Sequence, residues 1–212
     1  MSPKAFGIEN ESFMIIDREA GSHGYSDLEW AIVRRVIHAT ADFDFAGNER
    51  IVFSGDVFKS AFDAIEAGCH IIADVEMVLS GINKQLAAQL DLKPLCRISD
   101  SSVIKYSHDN NMTRSQVAME FSADQIQNGI VVIGNAPTAL FQVISMIMGG
   151  RAKPALVIGI PVGFVSAVES KKQLLEAPVP SITNIGRKGG SPAASSIINA
   201  LMLIYRSTVP KV

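Results

Sequence analysis

Four histidines, His23, His38, His70 and His108, are the natural candidates for proton transfer near neutral pH. None stands in an H-E-x-x-H or similar pair, so no protein-bound metal is expected. Cys69 and Cys96 stand apart with no C-x-x-C spacing and read as buried thiols in a reducing compartment. No Ser-His-Asp order or Cys-His pairing can be justified. His23 and His108 sit in polar stretches and read as solvated, and His70 opens an apolar run beside Cys69. His38 differs: it closes an amphipathic helical stretch, where the helix dipole favours an imidazolium. Its residue type and place leave two roles open, a helix-end cation or an acid–base catalyst.

A second kind of chemistry lies in three glycine-rich turns. They are Gly134-Asn135-Ala136-Pro137-Thr138, Gly159-Ile160-Pro161-Val162-Gly163 and Gly186-Arg187-Lys188-Gly189-Gly190-Ser191-Pro192. Glycine lets a backbone approach a ligand, and proline suits a first helical turn. Free N–H groups at the following helix starts favour anions, and Arg187 and Lys188 add full charges. Ordinary turn chemistry explains any one of these loops; three in succession point to an anion site. None is G-x-G-x-x-G or a P-loop, so carboxylates are a better match than phosphates, and no cofactor is expected. Asp74 and Glu76 could orient a histidine or arginine, or could simply start a helix.

These residues need a scaffold. The first part, about residues 1–53, reads as helical: Ile8 to Ala20 is amphipathic, and Ser26-Asp27-Leu28-Glu29 has capping-box spacing. The helix it opens carries Leu28, Ile32, Val33, Val36 and Ile37 as its stripe. From about residue 54 to 212, short apolar runs alternate with helices. Strands are expected at His70–Asp74, Pro94–Ile98, Ile130–Ile133, Ala155–Ile158 and Ser181–Ile185. Helices are expected at Asp56–Ala67, after residue 74, and at Thr113–Gln127, Pro137–Met148, Phe164–Glu176 and Pro192–Tyr205. This is the pattern of one α/β domain, a doubly wound parallel sheet of five strands with helices on both faces. Ligands of such sheets collect at the carboxyl ends of the strands, where the three loops lie.

The whole chain sets outer limits. Its 212 residues suffice for one substantial core. A net charge of -2 is no footprint of a nucleic-acid binder. With 48% apolar residues and a mean hydropathy of +0.24, a patch covered by a second copy is expected, with a tight hydrophobic core as the alternative. The start, Met1-Ser2-Pro3-Lys4, leads into no apolar leader segment, and no run is long enough to span a bilayer, so a cytoplasmic protein is expected.

Six stretches then resemble the precorrin-8X methylmutase family, including its cobalt-precorrin-8 branch. They are Ser12–Ile16, Val36–Thr40, Asp74–Val78, Ile133–Leu140, Pro161–Lys171 and Gly186–Ser191. They fall in the family's order over nearly the whole chain, with residues 86 to 112 least distinctive. The resemblance implies a flavodoxin-like fold and a homodimer binding a tetrapyrrole near the subunit boundary. It implies an isomerase of cobalamin biosynthesis that moves a methyl group from C11 to C12 of the macrocycle, with His38 as the acid. It further implies substrate contacts from Ser12, Thr40, Arg114, Gly134, Asn135, Thr138, Lys171, Arg187, Lys188 and Gly189. A non-catalytic corrinoid carrier is the alternative.

Overall fold

The computed structural model describes residues 3–208. Two helices come first, α1 (Pro3–Ala20) and α2 (Asp27–Thr40), followed by a 3₁₀ turn at Phe43–Phe45. Strands β1 (Ile51–Ser54), β2 (His70–Ala73) and β3 (Lys93–Leu95) follow, with α3 (Val57–Glu66), α4 (Glu76–Gly81) and α5 (Lys84–Gln89) between them. Helices α6 (Ser101–Asp109), α7 (Arg114–Phe121) and α8 (Ala123–Ile126) lead to β4 (Ile130–Ile133). The chain then runs through α9 (Pro137–Met148), β5 (Leu156–Gly159), α10 (Ala167–Glu176), β6 (Ser181–Asn184) and α11 (Ser191–Thr208).

The strands form one sheet in the order β1-β6-β5-β4-β2-β3. All neighbours are parallel except β1, which pairs antiparallel with β6 in the register Ile51↔Asn184 to Ser54↔Ser181. The five parallel strands alone have the order 2-1-3-4-5, that of the flavodoxin-like sheet. The sixth strand corrects the expectation of a wholly helical first part.

Side chains of a strand alternate between faces, and the central strands are apolar on both. In β4, Ile130 and Val132 join one core, whereas Val131 and Ile133 join the other. The first core also holds α1, α2, α3 and α11; the second holds residues of α6 to α10. Each fully buried isoleucine or valine contributes about 1.5–3 kcal/mol through removal of apolar surface from water. Of the expected α2 stripe, Ile32, Val33, Val36 and Ile37 are buried, and Leu28 is exposed. Other expectations shift at element ends. The stretch from Thr113 to Gln127 is two helices parted at Ser122, and Phe164, Val165 and Ser166 precede α10. Cys69 and Cys96 are half-buried free thiols, and burial raises both to about 11. Among the described residues no helix is long and apolar enough to cross a membrane.

Candidate active site

His38 owes its position to both ends of its helix. At the start, the Ser26 hydroxyl accepts from the Glu29 amide and the Glu29 carboxylate accepts from the Ser26 amide at 2.8 Å, a closed capping box. Along its flank, Arg34 pairs with Asp17 at 2.9 Å and Arg35 with Glu9 at 3.1 Å, tying α2 to α1. Those guanidinium carbons lie 4.4 and 5.1 Å from the centroid of the Phe13 ring. The His38 imidazole meets the same ring edge-on at 5.3 Å and is otherwise exposed. It has no hydrogen-bond partner among the described residues, so both ring nitrogens are open to a ligand. Beyond it the chain turns at Ala41, and Asp42 and Asp44 reach the β6–α11 loop. His38 thereby stands at the carboxyl rim of the sheet.

The β6–α11 loop is anchored from several sides. The Lys188 ammonium donates to both oxygens of Asp42, at 2.7 and 2.9 Å, and to Asp44 at 2.6 Å. Its backbone amide donates to Glu49 at 2.6 Å, and its carbonyl accepts from the Asn184 side chain at 3.0 Å. From beneath, Lys171 donates to the carbonyls of Gly186 and Lys188. The β5–α10 loop joins through Gly190 N to Ile160 O, 3.0 Å, and Gly163 N to Arg187 O, 3.1 Å. Two glycines of this loop meet close neighbours at positive φ: at Gly189 (φ +153°) a Cβ would strike the Ile160 carbonyl of the β5–α10 loop, and at Gly186 (φ +88°) the Glu49 carboxylate. Arg187 has no carboxylate partner among the described residues, and its guanidinium lies 5.5 Å from the exposed Phe164 ring.

The β4–α9 loop is organised by Asp74, at the end of β2. Its carboxylate accepts from the amides of Gly134 (3.1 Å), Asn135 (2.8 Å) and Ala136 (2.8 Å). Burial raises its pKa against the pull of these three bonds. The expectation that these amides are free for a ligand is therefore corrected: an internal carboxylate already occupies them, across the point where the strand order reverses. Asn135 remains exposed. The Thr138 hydroxyl bonds to those of Thr113 (2.9 Å) and Ser115 (3.1 Å), which sets the exposed Arg114 beside this loop.

Not every expected contact is available. Lys171 is 2% exposed with its ammonium on two carbonyls, so it supports the loop instead of reaching a ligand. The Ser12 hydroxyl donates to Ile8 O at 2.9 Å and that of Thr40 to Val36 O at 2.8 Å, both within their own helices. Asp42, Asp44 and Glu49 went unrecognised in the sequence. Each lies some 140 residues from the lysine it meets, and no local pattern marks it.

Between α2, α4 and α11 runs an open groove of about 350 Å³, lined by Ala39, Met77, Ser191, Pro192 and Asn199 among others. The precorrin-8X methylmutase family model matches residues 7–204. The chain belongs to the precorrin-8X methylmutase family. Among methylmutase relatives, the cobalt-precorrin-8 methylmutase of Leptospira interrogans is 43% identical over 93% of this chain and 92% of its own. That of Priestia megaterium is 44% identical over 95% and 89%. The precorrin-8X methylmutase of Pseudomonas aeruginosa is 38% identical over 92% and 93%. The crystal structure of the precorrin-8X methylmutase from Thermus thermophilus superposes with a TM-score of 0.87 at 39% identity, covering 95% of this chain and 96% of that one.

Proposed function

We propose that this chain is an isomerase of cobalamin biosynthesis that moves a methyl group from C11 to C12 of precorrin-8X or cobalt-precorrin-8. The family match and its methylmutase relatives support the reaction. The exposed His38 imidazole, near the end of a helix whose following turn is tied to the Arg187–Lys188 loop, carries the mechanism. A methyl shift within a conjugated ring is helped when the ring becomes electron-poor. Protonation by His38 achieves this, the methyl group migrates, and the imidazole recovers the same proton, so atoms and charge balance with no redox partner. Histidine is the residue type suited to giving and reclaiming a proton near neutrality. Positioned acid–base catalysis is worth about 10² to 10⁴ in rate, roughly 3–5 kcal/mol.

Orientation is the second requirement, because a macrocycle offers several carbons that could react. Arg187 and Arg114, with exposed guanidinium groups, are the carboxylate clamps. The exposed Asn135 joins them from the β4–α9 loop, and the rim loops that hold Thr138 and Gly189 shape the approach. A groove of about 350 Å³ is at the low end for even a drug-sized ligand (~300–1,000 Å³) and too small for a tetrapyrrole with its carboxylate arms. A second copy closes the site in our reading. Val162, Phe164, Val165 and Ile185 are exposed at the rim, Phe164 by 88% and Val165 by 82%, an apolar patch suited to a partner. The enzyme acts in the cytoplasm as a homodimer.

Absorbance during anaerobic incubation with each substrate tests the reaction. Catalytic conversion of the chromophore is expected, with the cobalt form tried first because relatives named for it reach 43% and 44% identity. A stoichiometric spectral shift without turnover would identify a carrier. His38→Ala should abolish turnover yet keep ring binding, since the clamps remain; near-normal rates would remove His38 from the mechanism.

A further inference from the structure

We propose that Lys188 is a positioning residue: it braces the end of the His38 helix against the Arg187 loop, and it does not clamp the substrate. The proposal rests on the methylmutase reading above. Three observations lead to it. First, the Lys188 ammonium has three hydrogens, and its three contacts are Asp42 at 2.7 and 2.9 Å and Asp44 at 2.6 Å. Second, both acids stand just past α2: Asp42 is four residues beyond His38 and caps the 3₁₀ turn through the Asp44 amide. Third, the bend between α2 and these acids holds Ala41 at φ +53°, a left-handed conformation that alanine adopts only under constraint. A tether just beyond the bend is such a constraint.

The other end of the brace is equally fixed. Glu49 holds the Lys188 amide, and Lys171 and Asn184 hold its carbonyl. Residue 188 therefore joins two rigid parts, one carrying the acid and the other the free cation Arg187. A displacement of about 1 Å between acid and bound substrate can reduce turnover by about 10²-fold. The brace is partly solvated, with side-chain exposures of 36% for Lys188, 29% for Asp42 and 44% for Asp44. Ion pairs of this kind add little to stability, so variants should fold.

The test compares Lys188→Met, Lys188→Arg, Asp42→Asn/Asp44→Asn and the triple Lys188→Met/Asp42→Asn/Asp44→Asn variant by steady-state kinetics. Lys188→Met should lower kcat by roughly 30-fold or more with KM within about threefold, because the clamps stay while the acid loses register. Arginine, a bidentate partner for carboxylates, should restore most of the rate. The double Asn variant should match Lys188→Met, and the triple should be no worse than either, as for residues acting as one unit. Hydrogen exchange at residues 38–41 and 186–190 should quicken in Lys188→Met; this measurement holds even if the wild-type protein turns over neither substrate, which would sink the reaction and leave the brace standing. A Lys188→Met variant with raised KM, intact kcat and unchanged exchange, beside a near-normal double Asn variant, would make Lys188 a clamp and overturn the proposal.

Discussion

At the scale of the residue, Lys171 shows how burial turns a surface-type side chain into scaffold. Desolvation lowers its ammonium from the ordinary 10.5 to about 8, against the opposing attraction of Glu49. The unfolded chain then binds a proton between pH 8 and 10.5 that the folded chain has released. Stability from this group therefore rises with pH across that window. Urea titrations should show the wild type gaining stability relative to Lys171→Met between pH 8 and 10.5; parallel curves would mean Lys171 titrates normally. Asp74 is a second case, and its meaning depended on contacts. A carboxylate at a strand end could have oriented a histidine or begun a helix. It instead accepts three backbone amides some 60 residues away, and only the tertiary structure could single out that role.

At the scale of the element, the loops were legible by composition and their partners were not. The glycines of Gly186–Gly190 announced a close backbone approach, and the structure supplies what approaches: the Ile160 carbonyl at Gly189 and the Glu49 carboxylate at Gly186. Gly189→Ala should raise KM at least tenfold and lower Tm, because Cβ collides with a backbone group that cannot swing aside. Gly24→Ala, with nothing within 4 Å of the new methyl, should change neither by a measurable amount. The capping box of α2 was also readable, since both partners lie within four residues. Strand β1 was not. Four residues long and at the sheet edge, Ile51–Ser54 has no period that separates it from the end of a helical region, and its pairing partner lies over 120 residues away. The exposed Phe164 and Val165 read as the start of a helix because apolar residues fit that period; the turn at Ser166 (φ +64°) keeps them out of α10.

At the scale of the whole molecule, the proposed dimer makes the apolar rim testable. Phe164→Glu should shift sedimentation from twice the chain mass toward one, and reduce turnover with it, if a second copy covers Val162, Phe164, Val165 and Ile185. A wild-type protein that sediments as one chain would leave that patch to the macrocycle alone. By itself the sequence determined the layered α/β architecture, because strands buried on both faces must be apolar throughout and the helices between them must be amphipathic. It also determined which loops reach the carboxyl rim, and the helix that ends near His38. The tertiary structure alone decided which charges are spent on the protein and which are left for a ligand. Lys171 and Lys188 share a residue type with solvent-facing lysines, and Arg187 differs from Lys188 by one position. Only folding brings Asp42, Asp44, Glu49 and two carbonyls up to the lysines, and these contacts join residues far apart in the chain, where no local spacing rule applies.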